Sequence, residues 1–264
     1  MKKLWLFVIL AMFPLFCHSQ VSYLNLDTLT PASTPNTSTP GWNIDTVPAT
    51  TGGVNSPASA TQTISNSSPA GAPTGVSMLD TMTTLATSTQ TNVLWWYWAT
   101  GCDSCTNFVQ DQWIYVTNIA AANNIEMDFD QYNLSQGKLH SFGHQCHIGG
   151  NWEYANNSSG WQNTSVACSL PAGWHHIIWT GHQTSTTNYY DELTVDGTPN
   201  AINTTLASET LPGGYPSALI DQFQIDAGPT TGTAATISYN LDEVNFTASG
   251  VTPGAVSTLQ YLLR

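Results

Sequence analysis

The stretch Asn124-Ile-Glu-Met-Asp-Phe-Asp-Gln-Tyr132 decides the fold class. Polar and apolar residues alternate through it, and a period of two marks a β-strand with one buried face. Glu126, Asp128 and Asp130 then share one face, while Met127 and Phe129 pack into a core behind them. Three carboxylates in file repel one another and weaken a sheet. The row makes sense where carboxylates handle protons, bind a cation or accept hydrogen bonds from hydroxyl groups. A solvated polar face is the plain alternative.

Outward from this stretch the strand signal repeats. Val93 to Trp98, Phe108 to Val116, Leu139 to Ile148, Trp174 to Trp179, Tyr189 to Val195, Ser217 to Ile225 and Ile237 to Phe246 are each rich in β-formers. Gly, Asn or Ser bound most of them. Weaker apolar patches begin at Val21, Gly41, Thr61 and Gly75. No sustained helical period is present; Thr117 to Asn123 is long enough for one turn. Many short strands without helices predict an all-β protein, a two-sheet antiparallel β-sandwich of the jelly-roll kind. Residues 20–250 are expected to form a single sandwich domain. Within it the Ser/Thr/Pro-rich region 20–91 supplies outer strands and loops, and 251–264 is a tail or last edge strand.

The first residues have the order of a cleavable secretory signal. Lys2 and Lys3 precede an apolar run from Leu4 to Phe16, and Cys17-His-Ser19 ends on a small residue. Residues 1–19 are therefore expected to be removed, leaving a chain secreted to the extracellular space or a periplasm. The apolar run of about thirteen residues is shorter than the roughly twenty a membrane span needs, so no membrane span is expected. Cys102, Cys105, Cys146 and Cys168 lie beyond the leader, and an even number in an exported chain suggests two disulfides. The preferred pairing is Cys102–Cys105 with Cys146–Cys168, because the second pair flanks one strand-loop-strand unit.

Four Lys and Arg against seventeen Asp and Glu give a net charge of −13. Beyond the leader only Lys138 and Arg264 are cationic. A nucleic-acid partner needs a basic surface and is not expected. Acidic polysaccharides are disfavoured for the same reason, which leaves neutral glycans. Ten Trp and ten Tyr supply flat faces of the kind that stack on sugar rings, although most serve a sandwich core.

With these residues in view, the chain resembles the concanavalin A-like lectin/glucanase superfamily. Glu126-Met-Asp-Phe-Asp130 looks like the Glu-x-Asp-x-Glu strand of laminarinase-type retaining β-glucanases, in a degenerate Glu-x-Asp-x-Asp form. Gly173-Trp-His-His-Ile-Ile-Trp-Thr180 followed by Tyr190-Asp-Glu-Leu-Thr-Val-Asp-Gly197 is similar to a LamG-like core pattern, in which a strand ends in Asp-Gly at a hairpin. The resemblance covers about Asn92 to Phe246. It implies a concanavalin A-like sandwich, with Glu126 as nucleophile, Asp128 as its modulator and Asp130 as acid/base. Asp130 stands where the family has Glu. Residues four apart on a strand have Cα atoms about 13 Å apart, so only long inward-leaning side chains reach the roughly 5–5.5 Å separation of retaining enzymes. The shorter Asp130 weakens the case for catalysis.

Gln145, His147, Trp152, Gln222 and Gln224 are further candidates for a glycan-binding face. Amides exchange paired hydrogen bonds with vicinal hydroxyls, and an indole offers stacking area. His140 and His144 are expected on one strand face and His147 on the other, while His175 and His176 oppose each other; no zinc set converges locally. No cofactor is expected, and structural calcium on Asp/Asn loops is the inorganic partner that stays open. The leading expectation is a secreted lectin-like protein recognising a neutral polysaccharide or glycan. The alternatives are an endo-β-glucanase-like glycoside hydrolase using Glu126 and Asp130, and an extracellular structural or adhesion module without glycan specificity.

Overall fold

The computed structural model describes residues 20–29, 41–46, 54–65, 68–156 and 160–250. The expected leader and the 251–264 tail lie outside the described residues. Two large sheets face each other, as the alternating pattern predicts. The eight-stranded sheet runs Thr198–Ala207, Thr187–Val195, Trp174–Thr184, Asn107–Thr117, Thr236–Ser249, Ser77–Thr83 and Ser59–Ser65, with Gln20–Tyr23 pairing along Thr236–Ser249. The ten-stranded sheet runs Gly160–Ala167, Asn151–Asn156, His144–His147, Ala122–Asn133, Ala218–Ala227, Gln90–Thr100 and Gly41–Asp45. Lys138–Phe142 continues the line of His144–His147 along Ala122–Asn133, and the two-residue strands Val54–Asn55 and Glu209–Thr210 complete the sheet. Pairing is antiparallel apart from the short Val54–Asn55 bridge. The early Ser/Thr-rich region thus contributes strands to both sheets. The single turn expected at Thr117–Asn123 is a 3-10 turn, Ile119–Ala121.

Strand parity builds the core. Ile125, Met127 and Phe129 point between the sheets and are buried. Phe129 sits 4.5 Å from Phe142 and 5.7 Å from Phe108, ring centre to ring centre. Each such side chain contributes roughly 1.5–3 kcal/mol by leaving water. The interior is not wholly apolar. Gln110 donates to the Asp221 carboxylate at 2.5 Å and to the Asp128 carbonyl at 3.1 Å, bridging the two sheets. Burial pushes the Asp221 carboxyl up to about 7.

At the end of Thr187–Val195, Asp196 and Gly197 both take positive φ, 49° and 77°. A two-residue turn of this kind matches the twist of the flanking strands, which explains why Asp-Gly stands there. The disulfides Cys102–Cys105 and Cys146–Cys168 are both formed. The second closes a 22-residue separation, a loop whose cross-linking stabilises by about 3 kcal/mol.

One expected strand differs. Leu139 to Ile148 is divided at Gly143 into Lys138–Phe142 and His144–His147. A Cβ at Gly143 would lie 2.8 Å from the Ala155 Cβ, so the neighbouring strand approaches too closely for a side chain. The strands Asn151–Asn156, Gly160–Ala167 and Thr198–Ala207 carry no clear sequence signal. They lie toward or at a sheet edge and use Asn, Thr and Ser in place of paired apolar residues.

Candidate functional site

Because Ile125, Met127 and Phe129 face inward, Asn124, Glu126, Asp128, Asp130 and Tyr132 project from the outer face of the ten-stranded sheet. Register then decides their neighbours. Glu126 lies opposite Gln224 and Gln145, Asp128 opposite Gln222, and Asp130 opposite Ile220 and Ser141. Gly143 falls opposite Asp128 between these pairs. Its missing side chain leaves room for the Asp128 carboxylate, which accepts the His144 backbone N–H at 2.8 Å. The Trp161 ring comes within 3.4 Å of the position a Gly143 Cβ would take, and so flanks the row on that side.

The carboxylates are held by amides and by one another. Asp130 accepts from Gln222 Nε2 at 2.7 Å. Asp226, two residues beyond Gln224, accepts from Gln224 Nε2 at 3.0 Å and from Asn124 Nδ2 at 3.3 Å, and it shares a hydrogen bond with Glu126. His147 Nδ1 meets Asn124 Oδ1 at 3.0 Å, and Gln145 donates to Glu153. Among the described residues Lys138 is the only Lys or Arg, and it sits at the far end of the row opposite Asn133.

Electrostatics follow from that shortage of cations. Burial raises the Glu126 carboxyl well above the usual range, and the charges of Asp128 and Asp226 raise it further. Burial also raises Asp128, against the lowering effect of the His144 N–H. Asp130 is pushed up to about 6 by burial, with the Ser141 and Gln222 bonds opposing the rise. Asp226 is raised by burial too. Carboxyls of this kind keep protons into mildly acidic solution and then both donate and accept hydrogen bonds.

One end of the row meets a group of aromatic rings. Trp96 and Trp98 point outward from Gln90–Thr100, with their ring centres 6.0 Å apart. Trp98, only 4% exposed, is covered by Tyr132 at 5.5 Å and Tyr215 at 6.5 Å. Tyr132 and Tyr215 stack at 5.3 Å. Tyr215 is the outermost ring, 38% exposed.

The structure brings Glu126, Asp128, Asp130, Gln145, His147, Gln222 and Gln224 to one face. Trp152 must be corrected. It is fully buried and packs 6.1 Å from Trp179 in the core, because it pairs with the inward Cys146. The histidines divide as expected. His144 is buried against Trp179 with its Nδ1 2.9 Å from the Met127 carbonyl, and burial holds it down near 3. His140 is buried between Asn188 and Gln136, whereas His147 is on the outer face. Among the described residues no group of three or more His, Cys, Asp or Glu is disposed to hold a metal ion. Asp226, Trp96, Trp98, Tyr132, Trp161 and Tyr215 were not legible as site residues in the sequence.

No model of a known protein family matches the chain, and no curated protein matches it. Solved structures share its outline at low identity. A carbohydrate esterase from the Shiga toxin-encoding bacteriophage phi24B is 15% identical, with 79% of this chain and 89% of that one covered and a TM-score of 0.44. Lectin II from Ulex europaeus is 10% identical, with 88% and 99% covered and a TM-score of 0.47. A pseudo β-1,3-glucanase of Mycobacterium tuberculosis is 10% identical, with 85% and 95% covered and a TM-score of 0.38. At such scores the likeness carries no argument about function.

Proposed function

We propose that this is an exported glycan-binding protein that takes a neutral oligosaccharide on the outer face of its ten-stranded sheet. One observation carries the reading: a row of amide-held carboxyls ends against a cluster of aromatic rings on the same face, with Tyr215 exposed at its top. Carboxyl and amide groups exchange hydrogen bonds with sugar hydroxyls, and Trp96, Tyr132 and Tyr215 offer apolar faces to the ring carbons. That Lys138 is the only Lys or Arg among the described residues supports an uncharged ligand. The leader-like first residues and the two disulfides support export.

Hydrolysis is the second reading, and it draws on the raised Asp130. A carboxyl that titrates near 6 retains a proton for a leaving oxygen in mildly acidic solution. Under this reading Glu126 would attack the anomeric carbon, and its own raised carboxyl counts against it, because a nucleophile must be ionised where Asp130 keeps its proton. The test is a panel of soluble glucans and xylans, measured for binding and for released reducing ends, with wild type and Glu126→Gln. Binding without release is expected. Release that vanishes in the variant would replace the binding reading with the hydrolytic one, and a panel that neither binds nor is cut would remove both.

A further inference from the structure

Trp98, Tyr132 and Tyr215 come from three separate segments, yet all three segments meet at the same short loop, residues 101–106. Trp98 stands three residues before Gly101 on the strand that enters the loop. Tyr132 stands two residues before Leu134, and Tyr215 two before Ser217. Asp103 ties these segments together. Its Oδ1 accepts from the Ser217 hydroxyl at 2.5 Å and from the Leu134 N–H at 3.3 Å, and its Oδ2 accepts from the Ser135 N–H at 2.8 Å. Its carbonyl accepts from Asn133 Nδ2 at 2.9 Å.

The loop itself is fixed from below. Cys102 and Cys105 are bonded, and Gln131, from the inner face of the carboxylate strand, donates to both of their carbonyls at 2.6 and 3.0 Å. Gln183 donates to the Cys105 carbonyl at 3.2 Å. Gly101 completes the contact. A Cβ there would lie 1.9 Å from Ser217 Oγ and 2.4 Å from the Ala218 nitrogen, so the loop lies directly on the segment that follows Tyr215.

We propose that the Cys102–Cys105 loop is a positioning device for the aromatic platform, with Asp103 as the residue that holds Tyr215 over Trp98 and against Tyr132. The use of the platform rests on the glycan-binding reading; its assembly does not. A ring held in place before binding saves the ordering of a loop and a side chain when the ligand arrives. Asp103 touches no ligand in this scheme and acts through Tyr215.

Near-UV circular dichroism of the ligand-free protein reads the coupling of the three rings, and the glucan and xylan panel reads its use. Asp103→Ala and Ser217→Ala are expected to change the near-UV spectrum by the same difference that Tyr215→Ala produces, while the far-UV β signal persists. Asp103→Asn, which keeps the oxygen facing Ser217 and Leu134 but turns a donor toward the Ser135 N–H, is expected to restore part of the near-UV spectrum. Any glycan bound by wild type should bind Asp103→Ala about tenfold more weakly, the cost of ordering the loop on binding. An unchanged near-UV spectrum in both alanine variants overturns the proposal, as does loss of the near-UV signal only together with the far-UV signal. If the spectra change as expected and wild type binds nothing on the panel, the positioning role stands and the glycan reading fails.

Discussion

The two outer faces of the sandwich treat acidic residues in opposite ways. On the eight-stranded sheet Asp111 and Asp191 are each given a base, while Asp242 accepts from Thr74 and Glu192 from Thr194. Asp111 meets His176 at 2.6 Å and Asp191 meets His182 at 2.8 Å, and those imidazoles stack on Trp113 and Tyr189. On the ten-stranded sheet Glu126, Asp128, Asp130 and Asp226 have amides, backbone N–H groups and one another. A half-exposed acid beside a base is an ordinary surface pair and contributes little. Carboxyls crowded together without a base cost stability unless they keep protons. That difference is what the proposed glycan-binding face rests on.

The contrast can be broken or sharpened in four ways. The largest effect concerns pH. Carboxyls whose folded pKa is raised bind protons more tightly in the native state, so stability falls as pH rises from the unfolded value near 4 through the folded values. Asp130 on the outer face, Asp221 between the sheets and Asp27 in the buried 3-10 turn Leu26–Thr28 define that window, with folded values of about 6, 7 and 6. Thermal unfolding is therefore expected to show a native state weaker at pH 7.5 than at pH 4.5 by on the order of several kcal/mol. Asp221→Asn, which keeps an acceptor for Gln110, should flatten that slope. A stability that rises over the same interval contradicts the assignment.

Second, Tyr215→Ala is expected to weaken glycan binding about thirtyfold, the scale of losing a central aromatic contact of about 2 kcal/mol. Trp113→Ala, on the other sheet, should change affinity less than about twofold by the same titration. Third, Gly143→Ala places a methyl group against Ala155 and the Trp161 ring. Overpacking of this sort costs about 1–3 kcal/mol, measured by denaturant unfolding, and should also shift Trp161 fluorescence. Equal stability would mean that the gap opposite Asp128 is incidental. The smallest effect is that of Asp111→Asn, expected to cost less than about 1 kcal/mol in the same denaturant titration. A larger loss would show that the histidine-paired face is also a site of stored strain.

The legible part of the molecule was the part governed by period two. The 12-residue strand Ala122–Asn133 is long enough for alternation to fix which side Glu126, Asp128 and Asp130 take. Trp152 is a candidate for its stacking area, and beyond the turn at Gly149-Gly150 an offset of one residue reverses every side chain, so sequence alone does not show that it faces the core. In Trp95-Trp-Tyr-Trp98 both faces are aromatic, so the alternation that sends Trp96 and Trp98 outward leaves no trace in composition. Asp226 joins Glu126 across about a hundred residues of chain. That contact depends on the pairing of Ala218–Ala227 with Ala122–Asn133, which no local pattern reveals. Tyr215 stands in a Gly-Gly-Tyr-Pro loop, and its contacts with Trp98 and Tyr132 come from segments far away in the chain.

The most direct measurement is hydrogen-exchange footprinting of the protein with the best-binding member of the glucan and xylan panel. The predicted result is added protection in Gln90–Thr100, Ala122–Asn133 and Ala218–Ala227, with Asn107–Thr117 and Trp174–Thr184 unchanged. Protection confined to those last two strands would put the glycan on the histidine-paired face and contradict the account.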